Sequence, residues 1–109
     1  MKKSGAVLRY IEDQSEEMCL IAVKEYPAAL RFVKNQTKQV CLEAVKRNGH
    51  LLEVVEKQDK DICLAALKEN PHAIYYVEEE YQKEAIELLR LRSLFDEKIK
   101  NILKEISEK

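Results

Sequence analysis

The chain contains no tryptophan, and only two glycines, two prolines and three cysteines occur among its 109 residues. So few glycines cannot build a glycine-rich loop that cradles phosphate groups. The apolar stretches are far too short to span a bilayer, and no signal-peptide core follows Met1. An odd number of cysteines without an export signal favours reduced thiols over a disulfide framework. These absences predict a cytoplasmic protein without a membrane segment.

Neither sign of charge dominates the composition. The chain has 19 Lys and Arg residues against 20 Asp and Glu residues, and its sequence pI is about 6.2. Such a balance provides no general attraction to nucleic acid or to an anionic membrane. Apolar residues make up 46% of the chain and charged residues 36%, which is typical of a folded helical protein. The length predicts one domain over residues 1–109.

The sequence is organised by a repeat of 22 residues. Cys19, Cys41 and Cys63 mark three copies, and the second and third copies agree at nine of 22 positions. The copies are residues 15–36, 37–58 and 59–80. An earlier half repeat at 5–14 is predicted from the matching positions Gly5, Leu8, Tyr10, Ile11 and Gln14. Residues 81–109 are predicted to form a degenerate repeat followed by a C-terminal helix.

Each copy carries the signals for two short helices. The expected N-caps are Ser15, Thr37 and Asp59, and the expected stops are Pro27, Gly49 and Pro71. In the first copy these signals predict a helix from about Glu16 to Glu25 and a second helix, of two turns at most, over about 28–34. The first helix has a wide apolar arc, which predicts neighbours on both sides. The arc consists of Met18, Cys19, Leu20, Ala22, Val23 and Tyr26.

The fold predicted from this pattern is all-α, a short solenoid of helix-turn-helix repeats with a C-terminal capping helix. A leucine-rich repeat has a similar period, but its strand would require alternating leucines followed by Asn. The run from Cys41 to Lys46 has helical spacing instead, so we reject that fold.

The C-terminal segment follows a different pattern. Its apolar residues recur at helical spacing along one expected seam, formed by Leu88, Phe95, Ile99, Ile102 and Ile106 with Leu91 and Leu103 beside it. Ser93 is a candidate break between two helices. We favour a helix that covers the last repeat, and the alternative is a helix that forms a homodimer.

The repeated element C-L-x-A-[VL]-K-x-N-[GP]-x-x-[LI]-x-x-V occurs at 41–55 and again at 63–77. It resembles a bacterial and viral repeat family, domain of unknown function 4116, over about residues 5–80. The resemblance implies a helical repeat fold found in chains from mobile elements, viruses and host-associated bacteria. It implies no activity and no catalytic residue. The first copy departs from the pattern at Tyr26, which replaces Asn, and Pro27 and Pro71 replace Gly.

The candidate metal ligands are better explained as structural residues. One Cys in each repeat predicts thiols spaced like packed helices, about 10 Å apart, which one zinc ion cannot bridge. We therefore expect three buried thiols. His50 and His72 share a repeat position and could bind a transition metal, but we expect them to be partly exposed turn residues. No arrangement of catalytic residues is recognisable, so the sequence predicts a protein that is not an enzyme and has no cofactor.

Two surfaces remain as functional candidates. Arg31, Glu53 and Tyr75 differ at one outward-facing repeat position, and variable positions of repeat proteins contact the partner. We therefore predict a protein-protein interaction module, such as a small inhibitor or adaptor from a phage or another mobile element. The alternative is a nucleic-acid-binding repeat that contacts phosphates through a recurring basic position. That position is occupied by Lys24, Lys46, Lys68 and Arg90.

Overall fold

A computed structural model describes residues 8 and 10–107, and those residues are helical without a β-strand. The prediction of an all-α fold is confirmed. The α-helices are α1 Glu16–Glu25, α2 Lys38–Arg47, α3 Lys60–Glu69, α4 Glu79–Ser93 and α5 Glu97–Ser107. Three 3₁₀ helices lie between them, namely η1 Pro27–Phe32, η2 Gly49–Val54 and η3 Pro71–Tyr76. Gly5, which belongs to the predicted half repeat, lies outside the described residues.

The first three α-helices begin where the sequence places their N-caps. The side chains of Ser15, Thr37 and Asp59 accept the backbone N–H three residues ahead, at donor–acceptor distances of 3.1, 3.3 and 2.8 Å. Each cap satisfies a backbone donor that has no partner within its own helix. The predicted bounds of α1 therefore match the observed ones.

The second helix of each copy is a six-residue 3₁₀ helix, and its predicted range in the first copy was shifted. It begins at Pro27 rather than at residue 28, because a proline in the first turn needs no N–H partner there. In the later copies Asn48 and Asn70 start the helix, since each side-chain oxygen accepts a backbone N–H two residues ahead at 3.0 Å. Tyr26 stands at this position in the first copy and makes no such side-chain bond.

The helices α1 to α4 run parallel to one another in one layer. Thr37 Oγ1 donates to Glu16 Oε2 at 2.7 Å, and Lys38 Nζ lies 2.7 Å from Asp61 Oδ2. Lys60 Nζ lies 3.3 Å from Glu84 Oε2. The first two contacts join the beginnings of consecutive helices, so α1, α2 and α3 point the same way. Lys60 at the start of α3 pairs with the first half of α4, and Arg92 near the end of α4 donates to Leu67 O near the end of α3, so α4 has the same direction. Each 3₁₀ helix lies on the connection from the end of one α-helix to the beginning of the next, and the 3₁₀ helices pack beside one another as a second layer.

The core lies between these two layers. In α2 and α3 the same four positions are buried, as the apolar arc predicts. They are Val40, Cys41, Ala44 and Val45, with Ile62, Cys63, Ala66 and Leu67 as counterparts. In α1 only Cys19 and Val23 are buried, so the buried arc of this helix is narrower than the sequence predicts. The physical reason is that, among the described residues, no α-helix precedes α1.

A glutamine at the end of each unit ties it to the next one. Gln36 donates from Nε2 to Val54 O at 3.1 Å and accepts the N–H of Glu56 at 2.9 Å. Gln58 makes the same pair of bonds one unit later, to Tyr76 O at 2.8 Å and from Glu78 N at 3.0 Å. Gln14 bonds Phe32 O and Lys34 N in the same way.

We call the paired bonds of Gln14, Gln36 and Gln58 the glutamine clamp. The clamp does not continue beyond the third unit. Glu80 occupies the equivalent position there, and no 3₁₀ helix follows α4 among the described residues. Gln82 instead donates to Val77 O at 2.7 Å and to Ile74 O at 3.2 Å, within its own region of the chain. The repeating bond pattern therefore stops where the second layer stops.

Two helices, α4 and α5, form the C-terminal segment, and the predicted break at Ser93 is confirmed. The prediction of a continuous apolar seam was wrong at two residues, since Phe95 is 89% exposed and Leu91 is 65% exposed. The turn after Ser93 interrupts the helical spacing, whereas Ile99 and Ile102 are buried against the core. None of the described helices is long and apolar enough to cross a membrane.

Candidate functional site

The three predicted partner-binding residues lie on the layer of 3₁₀ helices. Arg31, Glu53 and Tyr75 occupy the same position on η1, η2 and η3, and all three are exposed. Because the 3₁₀ helices pack side by side, this position forms a row that carries a cation, an anion and an aromatic ring. The row is held in place by the glutamine clamp, whose backbone partners flank it along the chain.

An apolar row and two histidines adjoin these side chains. Phe32, Val54 and Tyr76 are half-buried and pack against the core. The ring of His50 meets that of Tyr76 edge to face, with ring centroids 5.8 Å apart and an interplanar angle of 67°. His50 is exposed, as predicted for a residue of the first turn after Gly49.

We call this region the 3₁₀ surface. It consists of Arg31, Glu53, Tyr75, His50 and His72 with the half-buried Phe32, Val54 and Tyr76. It combines charged, aromatic and apolar groups on neighbouring 3₁₀ helices.

The third unit of the 3₁₀ surface contacts the C-terminal helix. Tyr75 donates its hydroxyl to a carboxylate oxygen of Glu105, and its ring stacks on His72 with centroids 6.3 Å apart. The bond to Glu105 raises the pKa of Tyr75, because the neutral phenol is the form that donates. Beside this contact lies an open depression of about 230 Å³, lined by His72, Asn101 and Ile102 together with charged residues of α5. Tyr75 therefore helps to position α5.

The basic column lies on the other layer. Lys24, Lys46 and Lys68 occupy the last turns of α1, α2 and α3, and Arg90 lies near the end of α4. All four residues are exposed. A cation in this place is stabilised by the negative end of the helix dipole. This stabilisation is a structural reason for the recurrence of a basic residue at this position.

The surroundings of the basic column are not uniformly positive. Lys46 and Lys68 line one open depression of about 450 Å³, together with Ala65 and Glu69. Lys46 Nζ also lies 3.9 Å from Glu43 Oε1. Carboxylates therefore stand next to both lysines, and that of Glu69 lines the depression in which a phosphate would bind.

The cysteines are buried, as predicted, and each thiol meets a clamp glutamine. Cys19, Cys41 and Cys63 donate to glutamine Oε1 atoms at 3.6, 3.6 and 3.3 Å. Burial raises the pKa of the Cys41 thiol to about 11 and that of Cys63 to about 12, with a smaller contribution from nearby carboxylates. Burial also raises the pKa of Cys19. Thiols of this kind stay protonated at neutral pH and are poor nucleophiles.

Within the described part of the chain, no group of three or more His, Cys, Asp or Glu side chains is arranged to hold a metal ion. The three thiols are separated by the stacking of the helices that carry them. His50 and His72 lie on different 3₁₀ helices; the His50 ring contacts Tyr76 edge to face, and the His72 ring stacks on Tyr75.

Sequence reasoning did not identify the role of the clamp glutamines. Gln14, Gln36 and Gln58 recur every 22 residues, as the cysteines do, and this recurrence was the available signal. A polar residue that recurs with the core positions indicates a repeated buried hydrogen bond, because an unpaired buried amide would be costly.

Comparisons with known proteins support the resemblance found in the sequence. Residues 37–82 match the family described as domain of unknown function (DUF4116). The match covers the second and third repeats and the beginning of α4, which confirms the resemblance over that part of the predicted range. The chain matches no curated protein and no solved structure.

Proposed function

We propose that the chain is a protein-protein interaction module that binds its partner through the 3₁₀ surface. In this proposal the 22-residue units form a short solenoid, which α5 caps at its C-terminal end. The observation that carries the proposal is the row Arg31, Glu53 and Tyr75, in which one exposed repeat position holds three different chemistries. A repeat protein recognises one particular partner through positions that differ between units.

The scaffold beneath that row supports this assignment. The N-caps, the glutamine clamp and the buried thiols recur from unit to unit with the same bonding partners. The residues at these constant positions stabilise the scaffold, so the residues at the outward positions can differ from unit to unit. Arg and Tyr are also the residue types that most often dominate binding energy at interfaces. We place the module among small inhibitors or adaptors from phages or other mobile elements, in line with the resemblance to its family.

A nucleic-acid-binding repeat is the second candidate, and the shared depression at Lys46 and Lys68 favours it. Two stacked cations on one open surface could contact successive phosphates of an extended strand. Glu43 and Glu69 lie beside these lysines, however, and weaken the local positive potential. The helix dipole already accounts for a basic residue at the end of each helix. We therefore prefer the protein-binding proposal.

Site-specific photocrosslinking distinguishes the two candidates. A photoreactive amino acid is placed at Glu53 on the 3₁₀ surface and, as a matched control, at Lys46 on the α-helical layer. We expect position 53 to give a discrete protein adduct in a host lysate, which the additional change Arg31→Glu abolishes. We expect no adduct at position 46. A nuclease-sensitive adduct at position 46, without a protein adduct at position 53, would overturn the proposal in favour of nucleic acid.

A further inference from the structure

The first α-helix leaves open a side that the next two α-helices bury. At the fourth position of each unit, Val40 and Ile62 are 0% and 2% exposed, whereas Met18 is 36% exposed. At the seventh position Ile21 is 57% exposed. Ala22 at the eighth position is half-buried, although its counterparts in α2 and α3 are fully covered. We call Glu17, Met18, Ile21 and Ala22 the open face of α1.

The corresponding side of α3 shows what covers such a face. Asp61, at the third position, pairs with Lys38 at the beginning of α2 at 2.7 Å. Glu69, at the eleventh position, accepts the backbone N–H of Gly49 at 2.6 Å. Both residues reach towards the preceding unit, so this side of α3 is the established interface with the parallel helix α2. The open face of α1 continues that interface at the next step of the stack.

The charge and size of the open face specify what fits it. Glu17 is the counterpart of Asp61, so a covering helix is expected to present a cation opposite it, as Lys38 does for Asp61. Ile21 stands where α2 has Glu43 and α3 has Ala65, which makes this face more apolar than its counterparts. An exposed isoleucine next to an exposed methionine gains free energy when another apolar surface covers it.

We infer that the open face of α1 binds an amphipathic α-helix of a partner polypeptide, which lies parallel to α1. The partner helix carries Lys or Arg opposite Glu17 and presents small or branched apolar side chains to Met18, Ile21 and Ala22. This surface is separate from the 3₁₀ surface, because it belongs to the edge of the α-helical layer.

Two features argue against a second copy as the occupant. Because α1 begins with Glu16 and Glu17, a second α1 lying parallel to it would bring two acidic first turns together at the place where Glu17 needs a cation. In α5 the apolar side chains face the core, and its exposed residues are polar or charged. The exposed apolar residues of the C-terminal end are Leu91, Leu94 and Phe95, and the last two lie in the turn between α4 and α5. The C-terminal end of another copy therefore offers an apolar turn but no apolar helix face along α5.

The test uses the full chain and a peptide that imitates the covering helix. The probe is a fluorescent, stapled peptide with the sequence of residues 37–47 and the change Cys41→Ala, because α2 is the helix that covers the same side of α3. Stapling is needed, since so short a helix is marginal alone. We expect saturable binding in fluorescence anisotropy. Ile21→Glu should weaken it about tenfold or more, because burial of an isoleucine is lost.

Matched controls separate binding from folding. Lys24→Glu changes an exposed residue on the same helix outside the open face, and it should alter the affinity less than about twofold. Circular dichroism of each variant checks that the helices remain formed. In the peptide, Lys38→Glu should weaken binding about two- to fivefold, and Glu17→Lys in the protein should restore it.

Three results would overturn the inference. The first is binding that does not saturate, or that Ile21→Glu leaves unchanged. The second is self-association of the wild-type chain in sedimentation velocity that Ile21→Glu abolishes, because a second copy would then be the occupant. The third is peptide binding only after deletion of residues 1–7, since the chain's own N-terminal segment would then cover α1.

Discussion

The two ends of the helical stack present different surfaces. At the C-terminal end, α5 packs on α4, buries Ile99 and Ile102, and exposes polar or charged side chains along its own length, while the exposed Leu91, Leu94 and Phe95 lie at or near the turn before it. At the N-terminal end, α1 keeps Met18 and Ile21 exposed on the side that later helices bury. The same helix sequence pattern therefore produces a core face in the interior and an accessible face at the edge. A repeat helix is covered only as far as its neighbours extend.

The largest difference in stability between α1 at the edge and α2 in the interior is expected when an alanine at the same repeat position is replaced by a larger residue. Ala44→Leu should destabilise the protein by about 1–3 kcal/mol, because Ala44 is 0% exposed and its neighbours cannot yield without strain. Ala22→Leu at the equivalent position of α1 should change stability by less than about 0.5 kcal/mol. Urea unfolding of both variants measures the difference. Equal losses would mean that the open face of α1 is covered in solution.

Two glutamines of the clamp, Gln58 in the interior and Gln14 at the N-terminal edge, should differ in how much they contribute to stability. Gln58→Leu should cost about 1–3 kcal/mol, because the partly buried N–H of Glu78 and the carbonyl of Tyr76 lose their partner. Gln14→Leu should cost less, since the N–H of Lys34 is exposed and can bond to water instead. Thermal unfolding of the two variants checks this order, and a larger loss for Gln14 would contradict it.

The buried thiols predict a loss of stability at alkaline pH. The pKa of Cys63 is raised to about 12 in the folded chain, so its contribution is complete below the pKa of the unfolded thiol, about 8.5. It is lost progressively as the pH rises from there towards 12. At pH 10 the loss should be about 1–2 kcal/mol for this thiol, because one pKa unit corresponds to about 1.4 kcal/mol.

Cys63→Ala should remove that part of the pH dependence, measured by unfolding at pH 8 and pH 10. Cys19→Ala should remove less of it, because Cys19 lies on α1, whose neighbouring Met18 and Ile21 are exposed to solvent. In the native protein at pH 9, iodoacetamide should modify Cys19 before Cys63. Faster modification of Cys63 would mean that the interior opens more readily than the N-terminal edge.

The smallest effect is expected from the basic column. Lys46→Ala and Lys68→Ala should each change stability by less than about 0.5 kcal/mol, because both side chains are exposed near the ends of helices. If the column binds phosphate instead, each substitution should lower the slope of log affinity against log salt by about one unit. Filter binding of a single-stranded oligonucleotide at several salt concentrations distinguishes the two outcomes.

Local rules predicted much of this fold. The caps Ser15, Thr37 and Asp59 act within four residues of sequence, and the structure places all three as predicted. The break at Ser93 was also visible in the sequence. The 3₁₀ form of the second helices was not predicted, because six residues bounded by Pro or Gly satisfy α-helical and 3₁₀ spacing almost equally well.

The candidate sites were harder to predict than the helices. The exposure of Arg31 and Glu53 followed from the repeat, but the contact of Tyr75 with Glu105 joins residues 30 positions apart. No periodic pattern indicates such a contact. The exposed position of Phe95 was missed for a similar reason, since Phe95 lies in the turn after Ser93 and does not share the helical spacing of α5.

The sequence by itself determined the 22-residue period, the beginning of each α-helix and the residues that are able to form a buried arc. These properties depend on caps, turn residues and apolar spacing, which act over a few residues of one chain segment. Only the tertiary structure decided that the glutamines join consecutive units, that α5 contacts the third unit, and that α1 keeps one side open. Those outcomes depend on which helices pack across a face, and a segment's own spacing contains no information about its neighbours.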